Sequence, residues 1–194
     1  MKSPKRIDHI KVGDTVKLSK VEFVIDHNHI YLSHEHSSFM SLFYIRVDNF
    51  IYPNRKYEGL PLLTLGYFMK ELRLLISKNN KIAERHIYFY PDNNNFIKFK
   101  LINNEILLLD FVQRKNSRKN IIHSIFSKDG LLVSSIIYCH FNEFFVAVYK
   151  LAENLINELK DREEVGGDLY ALEYQVSLAK SLFNRSEGTL KDEC

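Results

Sequence analysis

The chain has 194 residues, of which 45% are apolar, 26% charged and 13% aromatic, the last from 14 Phe and 11 Tyr with no Trp. That length supports one well-buried core, and this balance excludes a disordered, collagen-like or linker-rich chain, as do only 7 Gly and 4 Pro. A formal net charge of +3 is below what a dedicated nucleic-acid binder usually carries, and two cysteines are too few for a disulfide framework, so a reducing compartment is expected.

Residues 1–20 read as a polar lead-in with six basic groups against Asp8 and Asp14. They lack the apolar stretch of a signal peptide. VEFVI (21–25) and IYL (30–32) are short β-type runs on either side of the polar DHNH segment. SFMSLFYIRVDNFIY (38–52) reads as a hairpin turning at Asp48 and Asn49. Pro53 and NRKYEG mark a loop. From Pro61 the apolar period becomes helical: Leu62, Leu65, Phe68, Met69, Leu72, Leu75 and Ile76 recur at i, i+3 and i+4. Pro61 suits a first helical position and Lys78-Asn79-Asn80 a helix end, so a helix is predicted over 61–78 with Gly66 in its middle.

Three strands follow, over 86–90, 96–102 and 105–112, separated by PDNNN and by Asn103-Asn104. Phe96, Lys98 and Lys100 alternate with Ile97, Phe99 and Leu101, the period of a strand. Residues 113–120 form a basic loop, 121–126 a short strand, and the β-branched 131–138 favours a strand although a helix could begin there. Over 141–160, Phe144, Phe145, Val148, Leu151, Ala152, Leu155, Ile156 and Leu159 make one apolar helical stripe. Gly166-Gly167 breaks it, and Asp168 caps a last helix over 168–184. A frayed tail, 185–194, is expected beyond it. No apolar run approaches the roughly 18 residues of a membrane span, so no membrane partner is expected and the protein is expected in the cytoplasm.

Strands, a helix, strands and then helices, with no repeat and no β-α-β alternation, predict an α+β fold. The expectation is an antiparallel sheet of about five to seven strands with three helices packed mainly on one side. A single domain is expected over 1–194, with the sheet and first helix in 21–140 and the C-terminal helices in 141–184.

Four of the eight histidines, His27, His29, His34 and His36, fall within ten residues. A His-x-His pair on a strand points both rings to one face, and two such pairs on adjoining strands would offer four nitrogens to a metal. The same histidines with the basic loop 114–119 (Arg114, Lys115, Arg118, Lys119) make the alternative candidate, a metal- or nucleic-acid-binding protein or a metal-independent nuclease. Otherwise the chain lacks catalytic motifs. It has no phosphate-binding glycine loop and no nucleophile elbow, and Cys139 and His140, as neighbours on a strand, point to opposite faces. No enzyme activity and no cofactor are expected, and nucleic acid is not the expected partner. Residues 143–168 are acidic, with seven acids against three bases. Of these Glu153, Glu158, Asp161, Glu163, Glu164 and Asp168 gather at the end of the long helix and in the loop after it, a surface suited to a basic partner.

Two stretches, FYIRVDNFIYPNRKYEGLPLLTLGYFMKELRLLI (43–76) and FNEFFVAVYKLAENLINELK (141–160), carry a resemblance. Strand, short turn, strand ending in Tyr-Pro, a helix opening on Pro-Leu and a later F-x-E-F helix resemble small bacterial immunity proteins of contact-dependent growth inhibition and polymorphic toxin systems. The resemblance covers about a third of the chain. It implies a protein without catalysis that binds a cognate toxin domain, many of which are basic nucleases, and so neutralises it. It carries over no site residue; the acidic positions come from the charge pattern alone.

Overall fold

The computed structural model describes residues 17–76, 84–91, 94–102, 105–114, 131–162 and 166–189, with the side chains of 131 and 181–189 left undescribed. The chain opens with β1 (Val21–Ile25), β2 (Tyr31–Ser33), β3 (Ser38–Val47), β4 (Phe50–Tyr52) and β5 (Glu58–Gly59), and then enters α1 (Pro61–Ile76). It continues through β6 (Arg85–Tyr88), β7 (Asn95–Leu101), β8 (Ile106–Arg114) and β9 (Leu131–His140) into α2 (Phe141–Leu159) and α3 (Gly167–Thr189). The fold is α+β, as the order of the elements predicted.

β3 organises the first sheet: β1, β2, β4 and β5 all pair with it, antiparallel. Its turn into β4 falls at Asp48 and Asn49, and Asp48 takes a φ of 50°, a left-handed conformation that the short polar side chain tolerates. The second sheet is the meander β6-β7-β8-β9. Register places Ile97 opposite Phe111, Phe99 opposite Leu109 and Leu107 opposite Cys139, so alternate residues of three strands share one buried face. The β-branched 131–140 segment is a strand throughout, paired to the whole of β8 with a bulge at Phe111/Val112.

One sheet was expected and two are found, of five and four strands. α1 intervenes after β5, and the chain then starts a new meander instead of extending the first ladder. Side chains join the two sheets. Tyr52 Oη donates to the Phe96 carbonyl at 3.1 Å and also to the Val112 carbonyl, and Tyr57 Oη donates to the Phe89 carbonyl at 2.8 Å. Phe43 stacks on Phe89, and Tyr52 meets Phe89 and Phe111 edge-on at 5.5 and 5.1 Å between centroids.

A single buried cluster runs through both sheets and all three helices. α1 covers Pro61–Ile76, with Leu62, Leu65, Phe68, Met69, Leu72 and Leu75 all buried, and the last two residues of the predicted helix, 77–78, lie outside the described residues. α1 packs on β3 and β6, α2 on β1 and β9, and the helices pack on one another. α3 begins one residue before the predicted cap and runs past 184 to Thr189; Leu169, Leu172, Val176 and Ala179 are its buried face. No helix among the described residues is long and apolar enough to cross a membrane. The lead-in 1–16, the expected strand 121–126, the greater part of the basic loop (Lys115, Arg118, Lys119) and the tail 190–194 lie outside the described residues.

Candidate functional site

The DHNH segment is a short 3-10 turn, His27–His29, between β1 and β2. Asp26 makes it. Its carboxylate accepts from the Asn28 N–H at 3.1 Å, and its carbonyl accepts from His29 N at 3.1 Å and from Ser41 Oγ at 2.9 Å. An Asp at this position satisfies backbone donors that a strand would have paired, so the segment turns instead of extending. His27 and His29 are therefore exposed on a turn, as their place in a polar run implied, and not aligned on a strand as the metal alternative required.

That turn meets the end of α2. His27 Nδ1 lies 2.6 Å from Glu158 Oε2. One turn on, Arg162 reaches Glu158 at 3.7 Å, donates to the Ile30 carbonyl at 3.2 Å and covers the Phe39 ring at 5.7 Å. Beside it His29 lies 3.6 Å from Glu58 and edge-on to Tyr31, whose hydroxyl donates to Glu58 at 3.3 Å. Burial, and then the neighbouring Glu58 charge, hold the Tyr31 hydroxyl above the usual tyrosine range. Two groups read separately in the sequence, the histidines and the acids, thus share one corner. Glu58 and Tyr31 belong to it as well. Neither stood out, because Glu58 lies about a hundred residues from Glu158 and only the β3–β5 pairing brings it there.

The six acidic candidates fare differently. Asp161 is exposed. Glu158 is held by His27 and Arg162, and Glu153 accepts from the Tyr149 hydroxyl at 3.2 Å. Asp168 accepts from the Leu169 N–H at 3.0 Å and from Ser38 Oγ, which ties the start of α3 to the start of β3. A Cβ on Gly166 would stand 2.6 Å from the Asp168 carboxylate and 3.3 Å from the Ser37 carbonyl, so this junction requires a glycine. Asp168, expected as the cap, lies inside the first turn of α3, because the helix starts at Gly167, and acts as a structural link. Glu163 and Glu164 lie outside the described residues.

His34 and His36 sit in the turn between β2 and β3, where the His36 N–H donates to Ser33 Oγ and Ser37 takes a φ of 49°. Among the described residues no group of three or more His, Cys, Asp or Glu side chains could hold a metal ion. Arg114, the described member of the basic loop cluster, lies over Tyr88 and Phe96 at 5.3 and 5.4 Å and donates to the Tyr88 hydroxyl. Cys139 is buried, its thiol pushed up to about 12 chiefly by burial and further by Glu143, which removes the thiolate a nucleophile would need at neutral pH. Compared with known proteins, the sequence matches no family model, no curated protein and no solved structure.

Proposed function

We propose that this chain is a non-catalytic binding module, an immunity protein that neutralises a cognate toxin domain in the cytoplasm by holding it tightly. The observation that carries this reading is the corner where Glu58, Glu158 and Asp161 come together from β5 and the end of α2, with His27, His29 and Arg162 fixing two of the three carboxylates in place. Carboxylates fixed before an encounter lose little side-chain freedom on binding, and a surface with acids in excess speeds association with a basic partner and excludes wrong ones. Such a surface fits the basic cleft of a nuclease toxin.

The test is capture from the native cell lysate, followed by neutralisation. One stoichiometric protein should survive a wash at about 0.5 M salt, where exposed charge pairs are largely screened. Expressed alone that protein should arrest growth, and co-expression of this chain should relieve the arrest. The triple variant Asp161→Lys, Glu163→Lys, Glu164→Lys spares Glu158 and Asp168, which hold the fold, and should weaken capture while melting as the parent does. Capture of nucleic acid alone, or a captured protein whose toxicity this chain does not relieve, would sink the reading.

A further inference from the structure

Exposed carboxylates steer a partner, but they do not hold it tightly. Exposed charge pairs add little affinity and are largely screened at about 0.5 M salt. A stable interface buries about 800 Å² on each side, with an apolar centre inside a polar rim. The register of the first sheet places such a centre beside the acidic corner. Along β3, Phe39, Phe43, Ile45 and Val47 face the core, and Met40, Leu42, Tyr44 and Arg46 face the other way. Residues directly opposite in an antiparallel ladder share a face. Tyr31 is opposite Met40, Glu58 opposite Leu42, Val24 opposite Tyr44, and Glu22 and Ile51 opposite Arg46. The Tyr31 hydroxyl lies 3.7 Å from Met40 Sδ and donates to Glu58, so one face runs from the corner through Leu42 and Tyr44 to Arg46. Val24, Leu42, Tyr44 and Ile51 are partly exposed on it and belong neither to the buried cluster nor to the apolar side chains packed against that cluster. At the far end Arg46 Nε donates to Glu22 at 2.8 Å, which pairs off that cation, whereas the near end carries the excess of acids.

We propose that this outer face of the first sheet, with Leu42 and Tyr44 at its middle, is the apolar centre of the partner-binding surface. It receives an apolar patch of the toxin domain, and the basic rim of that patch meets Glu58, Glu158 and Asp161. This rests on the toxin-binding reading and locates the affinity within it: the carboxylates govern how fast and how selectively the partner arrives, and the sheet face governs how long it stays. Continuity carries the assignment, because Tyr31 and Glu58 belong to the corner and to the face at once. The residue types agree. Tyrosine offers a large contact area for little lost side-chain freedom and is enriched where binding energy concentrates. A sheet face gives a small molecule no concave pocket, so the occupant is another folded surface.

The probe is the toxic protein obtained by capture, its binding to this chain measured at about 0.05 M and about 0.5 M salt. Leu42→Thr and Tyr44→Thr keep side chains suited to an exposed strand. Each should weaken binding about tenfold or more at both salt concentrations, mostly through faster dissociation, while melting as the parent does. Tyr44→Phe keeps the ring and should keep most of the affinity. The triple lysine variant should instead slow association, with a deficit that shrinks at high salt. Nitration of Tyr44 by tetranitromethane, followed by mass spectrometry, needs no variant and should be slower in the complex than in the free chain. If no toxic protein is captured, the toxin-binding reading falls and this surface with it. If one is captured and relieved, but the folded threonine variants bind it as the parent does, or Tyr44 nitrates equally fast in the complex, the surface alone is overturned. Dimerisation of the free chain that Tyr44→Thr abolishes, with toxin affinity unchanged, would overturn it too and give the face to a second copy.

Discussion

Tyr52 shows how much one hydroxyl does in this molecule. It lies at the end of β4, yet its Oη donates to carbonyls of β7 and β8, so a single side chain bridges the two sheets while its ring fills the core between Phe89 and Phe111. Tyr52→Phe keeps the ring and removes the donor. The expected cost is about 1–3 kcal/mol, read as a lower urea midpoint at unchanged m-value. Cys139 makes a prediction of opposite character, about pH. Its thiol ionises in the unfolded chain near about 8.5 but in the fold only near 12. Above about pH 9 the unfolded state has released a proton that the native state keeps, so stability falls as pH rises. Cys139→Ala removes that linkage together with some packing. The stability gap between parent and variant should therefore narrow by about 1–2 kcal/mol between about pH 8 and pH 10, with lysine and tyrosine titrations common to both. A gap that stayed constant would mean that the thiol ionises normally in the fold.

At the scale of elements, α1 carries an avoidable weakness. Gly66 lies mid-helix, where glycine costs more backbone entropy than any other residue, and an added methyl meets open space. Gly66→Ala should stabilise the protein by about 0.5–1 kcal/mol, a rise of roughly 1–4 °C in melting temperature for a chain of this size. α1 was also the most legible element: seven apolar residues at helical spacing behind a proline mark its start and face. The strands 38–52 and 96–112 were legible for the same reason, since alternation and turn residues are local signals. The division into two sheets was not. Whether β6 extends the first ladder or begins a second depends on where α1 delivers the chain, and no residue near β5 or β6 encodes that. The candidate site was half legible. The histidines and the acids stand out as clusters, but their meeting at His27 and Glu158 spans 131 positions, and the cap that turns DHNH out of a strand rests on Ser41 and the backbone of β3 as much as on Asp26.

At the scale of the whole molecule, the question is whether two sheets make one folding unit. Ladder bonds do not connect them among the described residues, and in a chain with separate cores that would permit independent unfolding. Here the buried cluster is continuous from Val21 and Phe43 through Phe89 and Phe111 to Leu155 and Leu172. α1 packs on a strand of each sheet, and α2 does the same through β1 and β9. Removing either sheet would expose apolar area on both helices, at about 25 cal/mol per Å², so a half-folded state has little to hold it together. Unfolding should therefore be a single transition. Far-ultraviolet circular dichroism reports the helices, and the near-ultraviolet signal reports the tyrosines, which lie in both sheets. The two should trace coincident curves in urea, with one midpoint and one slope. Tyr52→Phe sharpens the test. If the sheets are one unit, loosening the bridge lowers the common midpoint and leaves the curves superimposed. If they are two, the curves separate, with the tyrosine signal moving first while the helical signal stays behind.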